Sequence, residues 1–133
     1  MTVQVNTWAI LVASVLNMVV GALWYSPLLF AGPWVRMSGV KIEEGAGHIV
    51  EYVGAYFAGL ILAAILAVVL SMVGTQTIWE GIVVAVIVWL GFTAAPTFAN
   101  TIFENRPFGL WGIVSAYPLV STILMSIILV VWR

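Results

Sequence analysis

The sequence predicts an all-α integral membrane protein, a bundle of four transmembrane helices whose neighbours run antiparallel. Three observations predict it. The 133 residues are 64% hydrophobic and 7% charged, where soluble domains are about 45–50% apolar and about 25% charged. Mean hydropathy is +1.19. The four basic and five acidic side chains (Arg36, Lys41, Glu43, Glu44, Glu51, Glu80, Glu104, Arg106 and Arg133) leave charge-free runs at 1–35, 52–79, 81–103 and 107–132. About 20 apolar residues cross about 30 Å of hydrocarbon, so each run has the length for one crossing. The runs are continuously apolar rather than alternating, which selects helices over barrel strands. The same composition argues against a soluble domain, a disordered chain and, without cysteine, a disulfide-stapled module. Four basic residues make no electrostatic footprint for nucleic acid.

The first helix is expected near 6–26. It lacks a positive n-region and is too long for the apolar segment of a cleaved signal, so it is expected to remain in the mature chain. A longer connection follows, rich in Pro27, Leu28, Leu29, Phe30, Pro33 and Trp34 and then basic at Arg36 and Lys41. Apolar residues followed by basic ones suit a segment lying along the membrane interface, and an irregular loop is the competing reading. The second helix is expected near 50–72, the third near 78–100 and the fourth near 109–132. The short links at 73–77 and 103–108 predict that the helices they join are adjacent. Pro118 predicts a kink in the fourth helix, with the Val114 carbonyl left as a free acceptor.

Lipid offers little hydrophobic drive between helices, so small residues that admit close approach mark packing faces. The first helix carries Ala9, Ala13, Asn17 and Gly21 at spacing four. The second carries Ala55, Gly59, Ala63 and Ala67, and the third Gly91, Ala95 and Ala99. Four short helices have few internal faces, so a homo-oligomer is expected.

Four crossings put both termini on one side. The opposite side, with the first and third connections, holds Arg36, Lys41 and Arg106, and the termini side holds Arg133. The positive-inside rule therefore predicts a multi-pass protein of the cell membrane with cytoplasmic first and third connections and both termini outside. Trp8, Trp79 and Trp132 at one level and Trp24, Trp34 and Trp111 at the other, with Tyr25 and Tyr52, fit two aromatic belts.

Polar groups at membrane depth are expensive and mark candidate sites. Asn17, Trp89 and Tyr117 fall near the midplane and are expected to form one buried hydrogen-bonded cluster, as helix-to-helix glue or, less expected, as a path for substrate or protons. Glu51 and Glu80 open antiparallel helices, so they sit at opposite faces as first-turn acids favoured by the helix dipole, and Glu51 has bases nearby to pair with. His48 is the single histidine, too few for a metal site, and no nucleophile elbow or phosphate loop is present. No cofactor, metal or catalytic constellation is therefore expected.

The run Gly21-Ala22-Leu23-Trp24-Tyr25-Ser26-Pro27-Leu28-Leu29-Phe30, followed by Trp34, resembles the signature of the domain of unknown function 1761 family, small four-helix membrane proteins of prokaryotes. Trp89-Leu90-Gly91-Phe92, Phe103-Glu104, Arg106-Pro107, Tyr117 and Trp132 resemble that family's second half. The resemblance implies the four-helix topology and no chemistry. It directs attention to the cytoplasmic rim of Trp24, Tyr25, Trp34, Arg36, Glu51, Glu104 and Arg106. The expected role is that of a structural or interaction protein among membrane lipids, ahead of an oligomeric transporter or channel and a lipid-handling enzyme. No substrate is legible.

Overall fold

The computed structural model describes residues 3–39 and 49–132. Among them every regular element is helical: α1 (Thr7–Trp24), α2 (Ala31–Ser38), α3 (Ile49–Val73), α4 (Ile78–Trp89), a π turn (Leu90–Ala94), α5 (Ala95–Phe103) and α6 (Phe108–Val131). The π turn joins α4 and α5 into one helix. Four helices, Thr7–Trp24, Ile49–Val73, Ile78–Phe103 and Phe108–Val131, are long and apolar enough to span a membrane. The four predicted helices are thus present, with ends shifted by up to three residues. Lys41, Glu43, Glu44, His48 and Arg133 lie outside the described residues.

Local chemistry sets the ends. Asn6 caps α1, its side chain accepting from the amides of Trp8 and Ala9. Thr77 caps α4 by accepting from the Glu80 amide at 3.2 Å, while Glu80 reaches back to the Gln76 amide at 2.7 Å. Glu80 is therefore a first-turn acid, as read from the sequence, and also closes the turn in the manner of a capping box. Gly74 at φ +79 ends α3, and Gly39 at φ +72 ends α2, a left-handed conformation that glycine adopts without strain.

The main helix pairs are α1 with α3, α1 with α6 and α4 with α6. The short link after α3 does not make α3 and α4 principal partners. The small residues decide instead: Gly81 at the start of α4 lies against α6, where a Cβ would come 2.8 Å from a Val130 methyl. The short α2 also packs on α6, the Met37 sulfur lying 3.1 Å from where a Gly109 Cβ would be.

The dry core is Ala9, Ala13, Ala63, Leu66, Ala67, Leu70, Met125, Leu129 and Val130. These residues begin α1 and end α3 and α6, so the bundle is closed at the end that carries the chain termini. Ala13, Gly59, Ala63 and Ala67 are packing residues as predicted. The α1 and α3 stripes meet each other, since a Cβ on Gly59 would fall 2.5 Å from Asn17 Nδ2. Two expectations are corrected. Ala55 is exposed, one turn beyond the closed part of the stripe. Gly91, Ala95 and Ala99 face outward, because the π turn shifts the helix register and brings Gly81, Ala85, Ala94 and Thr101 inward.

The run after α1 is ordered. Ser26 Oγ donates to the Leu23 carbonyl at 2.6 Å, and the amides of Phe30 and Ala31 return to the carbonyls of Trp24 and Ser26. This turn folds Trp24 onto Phe30, ring centroids 4.6 Å apart, and leads into α2. Of the two sequence readings for this connection, the short helix is the one found.

Candidate functional site

One turn above the dry core, Asn17 is 7% exposed at the meeting of α1, α3 and α6. Its side-chain oxygen accepts from Tyr117 Oη at 2.8 Å and from Ser121 Oγ at 2.6 Å, and Tyr117 Oη lies 3.1 Å from the Asn17 carbonyl. Gly59 leaves room for the amide nitrogen. Beneath it Ser14 donates to the Leu11 carbonyl at 2.7 Å and approaches Tyr56 Oη at 3.3 Å. Asn17 thus ties α1 to α6 through two hydroxyls, and the predicted pairing of Asn17 with Tyr117 is present.

Trp89 is not part of that latch. Its indole donates to the Ser115 carbonyl at 2.7 Å, two residues before Tyr117, and Ser121 is the third member instead. Trp24 donates to the Ile113 carbonyl at 2.9 Å. The two indoles therefore take the carbonyls on either side of Val114, the residue whose own amide partner Pro118 lacks. The Val114 carbonyl itself is not the acceptor expected from the sequence, and α6 runs unbroken as a helix through Pro118. Pro96 is handled in the same way. The Ala95 amide reaches back five residues to Leu90, and Trp111 donates to the Ala94 carbonyl at 3.3 Å and to Thr97 Oγ1 at 3.1 Å. Trp24 and Trp111, read from the sequence as belt residues, are helix-to-helix donors. Trp8 and Trp79, at 69% and 71% exposure, suit the belt.

Above the latch the bundle opens. A groove of about 410 Å³ lies among Gly21 and Ala22 of α1, Ala55 of α3, and Tyr25, Tyr52 and Tyr117. Gly21 is where α1 approaches Tyr117 most closely, a Cβ there falling 3.1 Å from Tyr117 Oη. Tyr25 is flanked by Trp34 at 4.9 Å and Tyr117 at 5.9 Å between ring centroids. Burial first, and then the Tyr117 phenol, push the Tyr25 phenol above its ordinary range, so it remains an uncharged donor.

The rim residues named from the sequence do not converge on one site. Tyr25 belongs to the groove, with Trp34 packed behind it. Glu104 and Arg106 pair with each other at 3.0 Å beside a recess of about 170 Å³ shared with Thr97, Thr101 and Trp111. Both side chains are more than half exposed, so the pair contributes little to stability. Arg36 borders a shallow depression with Pro27 and Ala31, and Glu51 is exposed in the first turn of α3. Sequence reasoning missed the π turn and the groove. Pro96 signalled the first, and Tyr25 with Tyr52 beside Gly21 and Ala55 signalled the second.

Residues 8–130 match the family described as Protein of unknown function (DUF1761). The chain belongs to that family. The match runs through the latch, the groove and both tryptophan-capped prolines, so these features lie within the DUF1761 region and not on an appended segment. No curated protein and no solved structure matches the chain. Family membership therefore supplies a fold to this DUF1761 protein and no activity.

Proposed function

We propose that this protein is an interaction protein of the cell membrane that assembles with a second copy of itself through the outer face of α4–α5. One observation carries the reading. Within the span Ile78–Phe103 only 11% of the residues are buried inside the chain, against 28% for α1 and α3 and 39% for α6, and its exposed side holds Gly91, Ala95 and Ala99. The comparable stripes of α1 and α3 are already used on each other, so this small-residue face remains for a partner helix. In this reading the chain acts by contact rather than catalysis, and its first and third connections, carrying Arg36 and Arg106, face the cytoplasm.

The test is energy transfer between donor- and acceptor-labelled chains in liposomes over a range of protein-to-lipid ratios. Wild-type chains are expected to associate, and Gly91→Leu with Ala95→Leu to weaken association at least tenfold. Ala58→Leu, on the exposed side of α3, is expected to leave it unchanged. A wild-type chain that stays monomeric at every ratio removes the proposal.

A further inference from the structure

The groove above the latch has a chemistry that the assembly face does not use. Its lining holds no ionisable side chain except tyrosine. Its walls are short at Gly21, Ala22 and Ala55, and its volume is of the order that holds a small ligand. The Tyr117 proton is committed to Asn17. The Tyr25 hydroxyl has no hydrogen-bond partner among the described residues although its ring is half-buried. Ala22, Ala55 and Tyr52, all exposed, form the open side of the groove along helices long enough to span a membrane.

We propose that the groove binds an uncharged membrane lipid whose head presents carbonyl oxygens, the Tyr25 hydroxyl donating to a head carbonyl and the apolar tail leaving between α1 and α3. Three features select this class. An unpaired neutral donor at the edge of an apolar trough needs an acceptor, and a carbonyl supplies one without a proton of its own. A charged head would lose hydration with no counter-charge in the lining to replace it. The open side lies along the spans, which suits a ligand that arrives from the bilayer. The ring of Tyr25, held between Trp34 and Tyr117, is already positioned, so binding orders little that is not ordered beforehand.

The experiment uses the full chain in phosphatidylcholine nanodiscs and radiolabelled probes with short tails. Two uncharged probes distinguish the head: dioctanoylglycerol presents ester carbonyls and decylbenzoquinone presents ring carbonyls. Decyl phosphate is the charged comparison. Saturable binding of either uncharged probe, with decyl phosphate failing to compete, is the expected result and identifies which carbonyl head is preferred. Ala55→Leu, which fills the groove from an exposed position, is expected to abolish binding while leaving the circular dichroism melt unchanged. Tyr25→Phe keeps the ring and removes only the donor, and is expected to weaken binding about fivefold, the effect of one neutral hydrogen bond. If Ala55→Leu does not fold, Tyr25→Phe decides alone. Absence of saturable binding by both uncharged probes, equal competition by decyl phosphate, or unaltered affinity in Tyr25→Phe overturns the proposal.

Discussion

Asn17 accepts two hydroxyl protons on a single amide oxygen, from Tyr117 and Ser121, at a depth where water is scarce. Interhelical hydrogen bonds in membrane proteins average about 0.6 kcal/mol and reach about 1.7 kcal/mol. Asn17→Ala removes the shared acceptor and leaves both hydroxyls unpaired, so a loss of about 1–3 kcal/mol is expected in an unfolding titration in mixed micelles. The double variant with Tyr117→Phe should lose less than the sum of the two singles, because both changes remove the same bond. Ser126 makes the opposite case. Its hydroxyl is buried against α4 and has no partner among the described residues. A buried unpaired polar group costs about 1–3 kcal/mol, so Ser126→Ala is expected to hold or raise stability, whereas Ser121→Ala lowers it. The two serines are five residues apart on one helix and look alike in the sequence. Their partners on α1 and α4 separate them, and a residue list does not contain those partners.

At the scale of elements, prolines and tryptophans work as pairs. Pro96 and Pro118 each remove an amide from a long helix, and indoles from neighbouring helices donate to carbonyls in the disturbed turns. The sequence showed that Trp89, near mid-membrane, needed a partner for its N–H, and it has one. It did not show which carbonyl, because that depends on how α4 is rotated against α6. The π turn fixes that rotation. Each residue of an α-helix turns the chain by about 100°, so one extra residue in a turn moves every later side chain to another face. This is why Gly91, Ala95 and Ala99, evenly spaced in the sequence, point away from α6, while Ala94 and Thr101 point toward it. Deleting Gly91 together with Pro96→Ala is therefore expected to convert the π turn to ordinary helix while Thr97 and Thr101 keep facing α6. Deleting Val83 instead, before the π turn, moves Ala94 and all that follows off the α6 face and is expected to abolish folding. Cysteine cross-linking from position 101 to α6 in the otherwise cysteine-free chain distinguishes the two.

The whole molecule is closed at one end and open at the other. Alanines and leucines shut the end of the chain termini, the Asn17 latch crosses the middle, and the tyrosine groove occupies the end of the first connection. Helix number and extent were legible because charge-free runs of spanning length leave few alternatives. The packing of α1 on α3 was legible because their small residues share one spacing. Helix order around α6 and the groove were not, because both depend on the rotation of finished helices. Orientation rests on the smallest margin of all. Arg36 and Arg106 are exposed at the open end, where Lys41 also belongs by sequence, while the other end has Arg133 and the α-amino group. A bias of one or two charges is within reach of a small change, since added basic residues near a span can reverse topology. Single cysteines report the side directly: one replacing Asn105 is expected to resist a membrane-impermeant maleimide in intact cells, and one replacing Gln76 to react. Adding Lys at Gln4 and Gln76 while changing Arg36 and Arg106 to Gln moves the excess of basic residues to the closed end and should exchange the two labelling results. If both cysteines keep their original reactivity in that background, positive charge does not set the orientation, and the assignment of the open end to the cytoplasm falls with it.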